Sequence, residues 1–134
     1  MSKLTTIEGI GEVLAEKFKS AGIGSVEKLL EKGCTAKGRK ELAEATGIDG
    51  KRILRFVNHA DLMRLKGVGG EYAELMEAAA VDTVAELARR NAANLHAKME
   101  AVNAEKKLVR QTPSLSQVER WIEQAKTLDR AVTH

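Results

Sequence analysis

Slid along itself by 58 residues, the chain overlays without a gap: "IEGIGEVLAEKFKSAGIGSVEKLLEKG" (7–33) lies over "LKGVGGEYAELMEAAAVDTVAELARRN" (65–91). Gly9, Gly11, Ala15, Glu16, Ala21, Val26 and Leu29 meet identical residues at Gly67, Gly69, Ala73, Glu74, Ala79, Val84 and Leu87. Ile7/Leu65, Ile10/Val68, Phe18/Met76, Ile23/Val81 and Ser25/Thr83 are conservative pairs. Self-similarity at a fixed offset means that one supersecondary unit is used twice. The chain is therefore expected to divide into a first unit over 1–64 and a second over 65–134. The match fades after residue 33, although both halves continue in helical patterns.

Within each unit the signals are helical. Ile10, Leu14 and Phe18 recur at a four-residue step, as do Val68, Tyr72 and Met76, which puts each set on one helix face. Gly22 and the "GIGS" after it stop the first helix. Ser25 and Thr83 are N-cap residues for the next, and Thr83 with Glu86 has the spacing of a capping box. "KGRKELAEATG" reads as a third helix closed by Gly47. Asp49 is placed to cap a longer one from about Gly50 to Arg64, with Ile53, Val57, Ala60 and Met63 buried. "AANLHAKMEAVN" is its neighbour in the second half. "TPSLSQVERWIEQAKTL" forms a last helix with Ser114 and Gln117 in capping-box spacing and Val118, Trp121, Ile122 and Ala125 in the core. Ala, Leu, Glu and Lys dominate and only 3% of residues are aromatic, a composition that loses little rotamer freedom in helices. No stretch alternates as a strand requires. The fold expected is all-α.

Composition also removes functions. No apolar run nears the length of a membrane span. No charged segment followed by an apolar one opens the chain as a secretory signal would, so a cytoplasmic location is expected. Cys34 is alone, which rules out an internal disulfide, and neither His59 nor His96 has a partner at ligand spacing. "GIGEVL" and "GVGGEY" lack the third glycine of a dinucleotide fingerprint, and no phosphate-binding GK[ST] is present. No catalytic constellation is visible, and the expectation is a non-enzyme without cofactor or small-molecule substrate. The net charge is +3. Residues 1–64 hold twelve Lys/Arg against nine Asp/Glu, and residues 65–134 hold ten against ten. This balance permits a nucleic-acid partner without demanding one. Three basic clusters stand out: Lys37, Arg39 and Lys40; Lys51, Arg52 and Arg55; and Lys106, Lys107 and Arg110. They read either as a phosphate-backbone footprint or as ordinary solvated helix faces.

The pattern apolar-x-Gly-apolar-Gly-x-x-x-Ala, followed by "AGIGSVEKL" or "AAVDTVAEL", resembles the helix-hairpin-helix motif. "TTIEGIGEVLAEKFKSAGIGSVEKL" is similar to hairpin segments of DNA repair polymerases and of the amino-terminal domains of RecA-type recombinases. Over residues 4–128 the chain resembles an uncharacterised bacterial family with two such units, in which "GRKELAEATGI", "FVNHADLMRLKGVG" and "PSLSQVERWIEQAKTL" are also typical. That family is in turn similar to the hairpin part of flap endonucleases. The resemblance implies two tandem, SAM-like hairpin units packed into one compact helical domain. It also implies sequence-independent binding of DNA, or RNA, through backbone amides at Gly9, Gly11 and Val13 and at Gly67, Gly69 and Glu71. In some members a monovalent cation sits under the turn, which would map onto the carbonyls of Thr5, Ile7 and Ile10. The motif commonly carries Lys or Arg just after the second glycine. Here Glu12 and Glu16, and Glu71 and Glu74, stand there instead, and a carboxylate one turn from a phosphate repels it at low salt. Lys66 makes the second turn the better candidate. The competing reading is a protein-interaction or scaffold module in which both turns are structural corners.

Overall fold

A computed structural model describes residues 2–134. It is all-helical: a short 3₁₀ turn (Leu4–Thr6) precedes α1 (Glu12–Ser20), α2 (Val26–Gly33), α3 (Ala36–Thr46), α4 (Gly50–Leu62), α5 (Gly70–Ala78), α6 (Val84–Leu87), α7 (Ala92–Lys106) and α8 (Leu115–Thr127). No strand occurs among the described residues. The helices gather into two compact units, one of Met1–Asp61 with Ala131–His134 and one of Leu62–Arg130.

In unit 1 the buried side chains are those of the repeat's apolar positions, with Ile7, Ile10, Phe18, Ile23 and Leu29 joined by Leu42, Ile53, Phe56 and Val57 from α3 and α4. Phe18 meets Phe56 edge to face, their ring centroids 6.3 Å apart. The interior of unit 2 is built from Leu65, Val68, Met76, Val81 and Leu87 with Leu95, Met99, Val118 and Trp121. Full burial of side chains of this size stabilises by about 1.5–3 kcal/mol each.

The N-caps follow the local chemistry. Ser25, Thr35, Thr83, Asn91 and Ser114 each accept a backbone amide three residues ahead, and Asp49 Oδ1 accepts that of Lys51 at 2.8 Å. Gly47 closes α3 at φ +74. Two capping details depart from the expected box. Gln117 turns its Oε1 to Arg120 at 3.1 Å, and the Glu86 carboxylate accepts the amide of Asp82, the residue before the cap. α4 ends at Leu62 rather than Arg64, because the Leu62 carbonyl already turns to accept the Leu65 amide at 3.1 Å. Met63 is accordingly only half-buried.

The repeat extends into backbone geometry. Gly9 and Gly67 hold φ +96 and +88. In unit 1 Ile10 N–H donates to Ile7 and Ile23 N–H to Phe18; in unit 2 Val68 donates to Leu65 and Val81 to Met76, the two members of each pair within 0.1 Å of one another in length. Gly22, at φ +87, is matched by Ala80 at φ +69. The likeness also resumes beyond the point where sequence similarity fades, at a new offset of 65. α4 and α8 have thirteen residues each, with Asp49/Ser114 as caps and Ile53/Val118, Phe56/Trp121, Val57/Ile122 and Ala60/Ala125 buried. The extra length lies in a longer α7 and in the segment 107–114. Asn103 fastens that segment by exchanging two hydrogen bonds with the backbone of Val109, at 3.0 and 2.9 Å.

Candidate nucleic-acid interface

Each glycine turn delivers the chain into a helix whose first amides have no intrahelical acceptor. Gly11 caps α1 at φ −94, ψ −170, and Gly69 caps α5 at φ −101, ψ −168. Neither offers a side-chain oxygen, whereas Ser, Thr, Asn or Asp caps α2, α3, α4, α6, α7 and α8. Extended dihedrals of this kind suit any residue. A Cβ on Gly11 or Gly69 would meet nothing within 4 Å. Neither backbone strain nor packing therefore calls for glycine at these two positions, and a hydroxyl or carboxamide would cap better. Glycine there leaves the side-chain position at the start of α1 and of α5 empty. The first glycine of each turn differs. Gly9 and Gly67 need their positive φ, and a Cβ on Gly9 would lie 3.1 Å from Phe56 Cε1.

The second turn is held by α8. Trp121 Nε1 donates to the Lys66 carbonyl at 2.9 Å, and Gln124 Oε1 accepts the Lys66 amide at 3.0 Å. The two peptide units that flank Lys66 are thus each held by α8, while the Lys66 side chain stays exposed. On the other side of the turn, Lys107 and Arg110 share a surface depression with Glu71. The longer connection of unit 2 thereby brings Lys107 and Arg110 beside Glu71 in the first turn of α5. Lys106 and Lys107 are both exposed, and Lys107 closes α7 at φ +52. Tyr72, its hydroxyl donating to the Gln111 carbonyl at 3.2 Å, anchors the far end of that connection.

The first turn has other surroundings. Arg55 Nη1 lies 3.4 Å from the place a Cβ on Gly9 would occupy, and Arg52 stacks over the Phe56 ring at 5.7 Å. Glu12 and Glu16 are exposed, with Glu16 at 3.9 Å from Lys19. Val13 is 72% exposed. Lys37, Lys40 and Lys51 are exposed. The Lys32 ammonium of α2, 2.8 Å from Glu41 on α3, holds that carboxyl below its ordinary value, with Lys37 adding to the effect. Arg39 leaves the expected footprint. It is buried, and its guanidinium donates to the carbonyls of Gly33 and Thr133 at 2.9 and 2.7 Å, so its charge is spent on the unit's own backbone. Of the carbonyls suggested for a cation, that of Ile7 accepts the Ile10 amide at 3.1 Å, and Thr5 lies in the 3₁₀ turn.

Residues 8–128 of the chain match the family described as Domain of unknown function (DUF4332). The chain belongs to this family. The match takes in both glycine turns and the helices α1 to α8. No curated protein and no solved structure matches the chain. What the DUF4332 fold adds to the sequence reading is Arg120, Gln124 and the indole N–H of Trp121, all of which α8 brings to the second turn. A signal for them exists in the sequence. "IDGKRILRFVNHA" (48–60) overlays "PSLSQVERWIEQA" (113–125) at the offset of 65, and pairs Arg55 with Arg120.

Proposed function

We propose that this DUF4332 protein is a non-enzymatic, sequence-independent DNA-binding protein of two helix-hairpin-helix units, with the second glycine turn as its principal contact. One observation carries the reading. The glycine that caps α1 and α5 is used at both copies although neither its dihedrals nor its neighbours require it. A bare helix start suits a partner that must approach the backbone closely, and a phosphate is stabilised there by free amides and by the helix dipole. Such contacts position a duplex without reading its sequence. Lys66, Lys107 and Arg110 add positive charge around the second turn. At the first, Glu12, Glu16 and the exposed Val13 favour a protein contact or a structural corner.

Fluorescence anisotropy with labelled duplex, single-stranded and branched DNA at low salt tests this. Gly69→Glu and Gly11→Glu are suitable probes, since both positions accept a side chain without strain or clash. Gly69→Glu is expected to abolish binding and Gly11→Glu to leave most of it. Absence of binding at micromolar protein, or equal binding by wild type and Gly69→Glu, would refute the proposal.

A further inference from the structure

Beside the second turn lies a surface pocket of about 440 Å³, lined by Lys66, Gly67, Gln117, Arg120, Trp121 and Gln124. It holds two cations, two carboxamides, an indole and a bare glycine backbone, and no carboxylate. We infer that this pocket seats a second phosphate group of the bound strand, next to the one at the helix start, with Arg120 as the residue that grips it. The inference rests on the nucleic-acid reading and adds a residue and a subsite to it.

Three observations converge. First, Arg120 is held ready: Gln117 Oε1 accepts from its Nη2 at 3.1 Å, while Gln117 Nε2 stands 3.6 Å from the space over Gly67. The remaining guanidinium donors form a planar fork suited to two phosphate oxygens at once. Secondly, the pocket floor is rigid. The Lys66 carbonyl and amide are held by Trp121 and Gln124 at 2.9 and 3.0 Å, so a ligand ordering itself there would not first have to order the turn. Thirdly, the unit duplication repeats the arrangement. Arg55 is the α4 counterpart of Arg120 and reaches the equivalent first glycine, 3.4 Å from the position of a Cβ on Gly9. Around these arginines the core pairs have changed type, as in Phe56/Trp121 and Val57/Ile122, yet the arginine is identical. Packing does not account for the arginine of α8, because Arg120 is exposed, whereas Arg55 is half-buried. At the second turn the arginine of α8 thus supplies the charge that Glu71, near the second glycine, withholds.

The test uses the full chain and a labelled duplex titrated across a salt series. Arg120→Gln removes the charge but keeps a polar, helix-compatible side chain. It is expected to weaken binding roughly tenfold at low salt and to lower the slope of log K against log salt by about 0.9, the value of one phosphate contact. Arg120→Lys should restore the slope while recovering only part of the affinity, since the fork is lost. Melting temperature should be unchanged in both, which separates a ligand contact from a structural role. Wild-type affinity and slope in Arg120→Gln, with Gly69→Glu still abolishing binding, would overturn this inference and leave the wider reading standing. A wild-type chain that binds no duplex would overturn both.

Discussion

Ala80→Gly is expected to stabilise the protein, because Ala80 holds φ +69 with a Cβ where its counterpart Gly22 holds φ +87 without one. Left-handed backbone crowds Cβ against the following carbonyl and costs roughly 1–2 kcal/mol. The backbone at Ala80 is fixed from both sides: its amide donates to Glu77 at 2.9 Å and its carbonyl accepts from Arg90 Nη1 at 3.3 Å. Glycine at this position removes the crowding but returns about 0.5–1 kcal/mol through the freedom it adds to the unfolded chain. The net gain is on the order of 0.5–1 kcal/mol, or roughly 2–8 °C for a unit of this size. Gly22→Ala is the mirror experiment. A Cβ there would meet nothing within 4 Å, so its cost is purely one of backbone. That variant should lose about 1 kcal/mol. Thermal and urea unfolding followed by circular dichroism at 222 nm would measure both. Two neutral variants, or shifts of the same sign, would refute a controlling role for left-handed strain.

Gly11→Ser and Gly69→Ser should each raise stability by about a few tenths of a kcal/mol by capping α1 and α5, and only Gly69→Ser should weaken DNA binding in the anisotropy assay. Arg39→Leu should destabilise by about 2 kcal/mol, since the Gly33 and Thr133 carbonyls each lose a charged donor; faster exchange of the Thr133 amide should report the loosened tail. Glu41 is held below its ordinary carboxyl value of 4.5, first by its hydrogen bond to Lys32. The stability it contributes is therefore present above that value and lost as pH falls through the lower folded one. Glu41→Gln should flatten the acid limb of a pH-dependent melt slightly, the pair being exposed, and an unchanged limb would count against the ion pair.

Much of the fold is legible in the sequence because it rests on local chemistry. The caps at Ser25, Thr83 and Ser114, the αL stop at Gly47 and the burial of Phe18 and Trp121 each depend on a few neighbouring residues, and each is found. What the sequence hides depends on tertiary placement. Arg39 reads as one more exposed cation among Lys37 and Lys40, because nothing nearby in sequence announces the carbonyl of Thr133, 94 residues on. The likeness of α4 to α8 is masked by a change of offset from 58 to 65, arising in a longer α7 and its following connection. Without that likeness, Arg120 and Gln124 have no reason to be linked to a turn more than fifty residues away. Ala80 is silent too, because a left-handed alanine leaves no compositional mark.

Val132 is buried and Thr133 hydrogen-bonds to the Cys34 carbonyl at 2.8 Å, so the segment Ala131–His134 is part of unit 1. Unit 2 is one uninterrupted stretch of chain, whereas unit 1 is split and closes across a span of 99 residues. On a ribosome the N-terminal half emerges first and would ordinarily finish first. Here the order inverts: unit 2 has every residue it needs before unit 1 receives its last ones. A fragment cut near residue 64 lacks Val132 and the Thr133 carbonyl, one of the two acceptors of Arg39, while a tag fused after His134 burdens the unit that is remote in sequence. Dissecting this protein by halves therefore calls for residues 62–130 on one side, and for keeping residues 131–134 with residues 1–61 on the other.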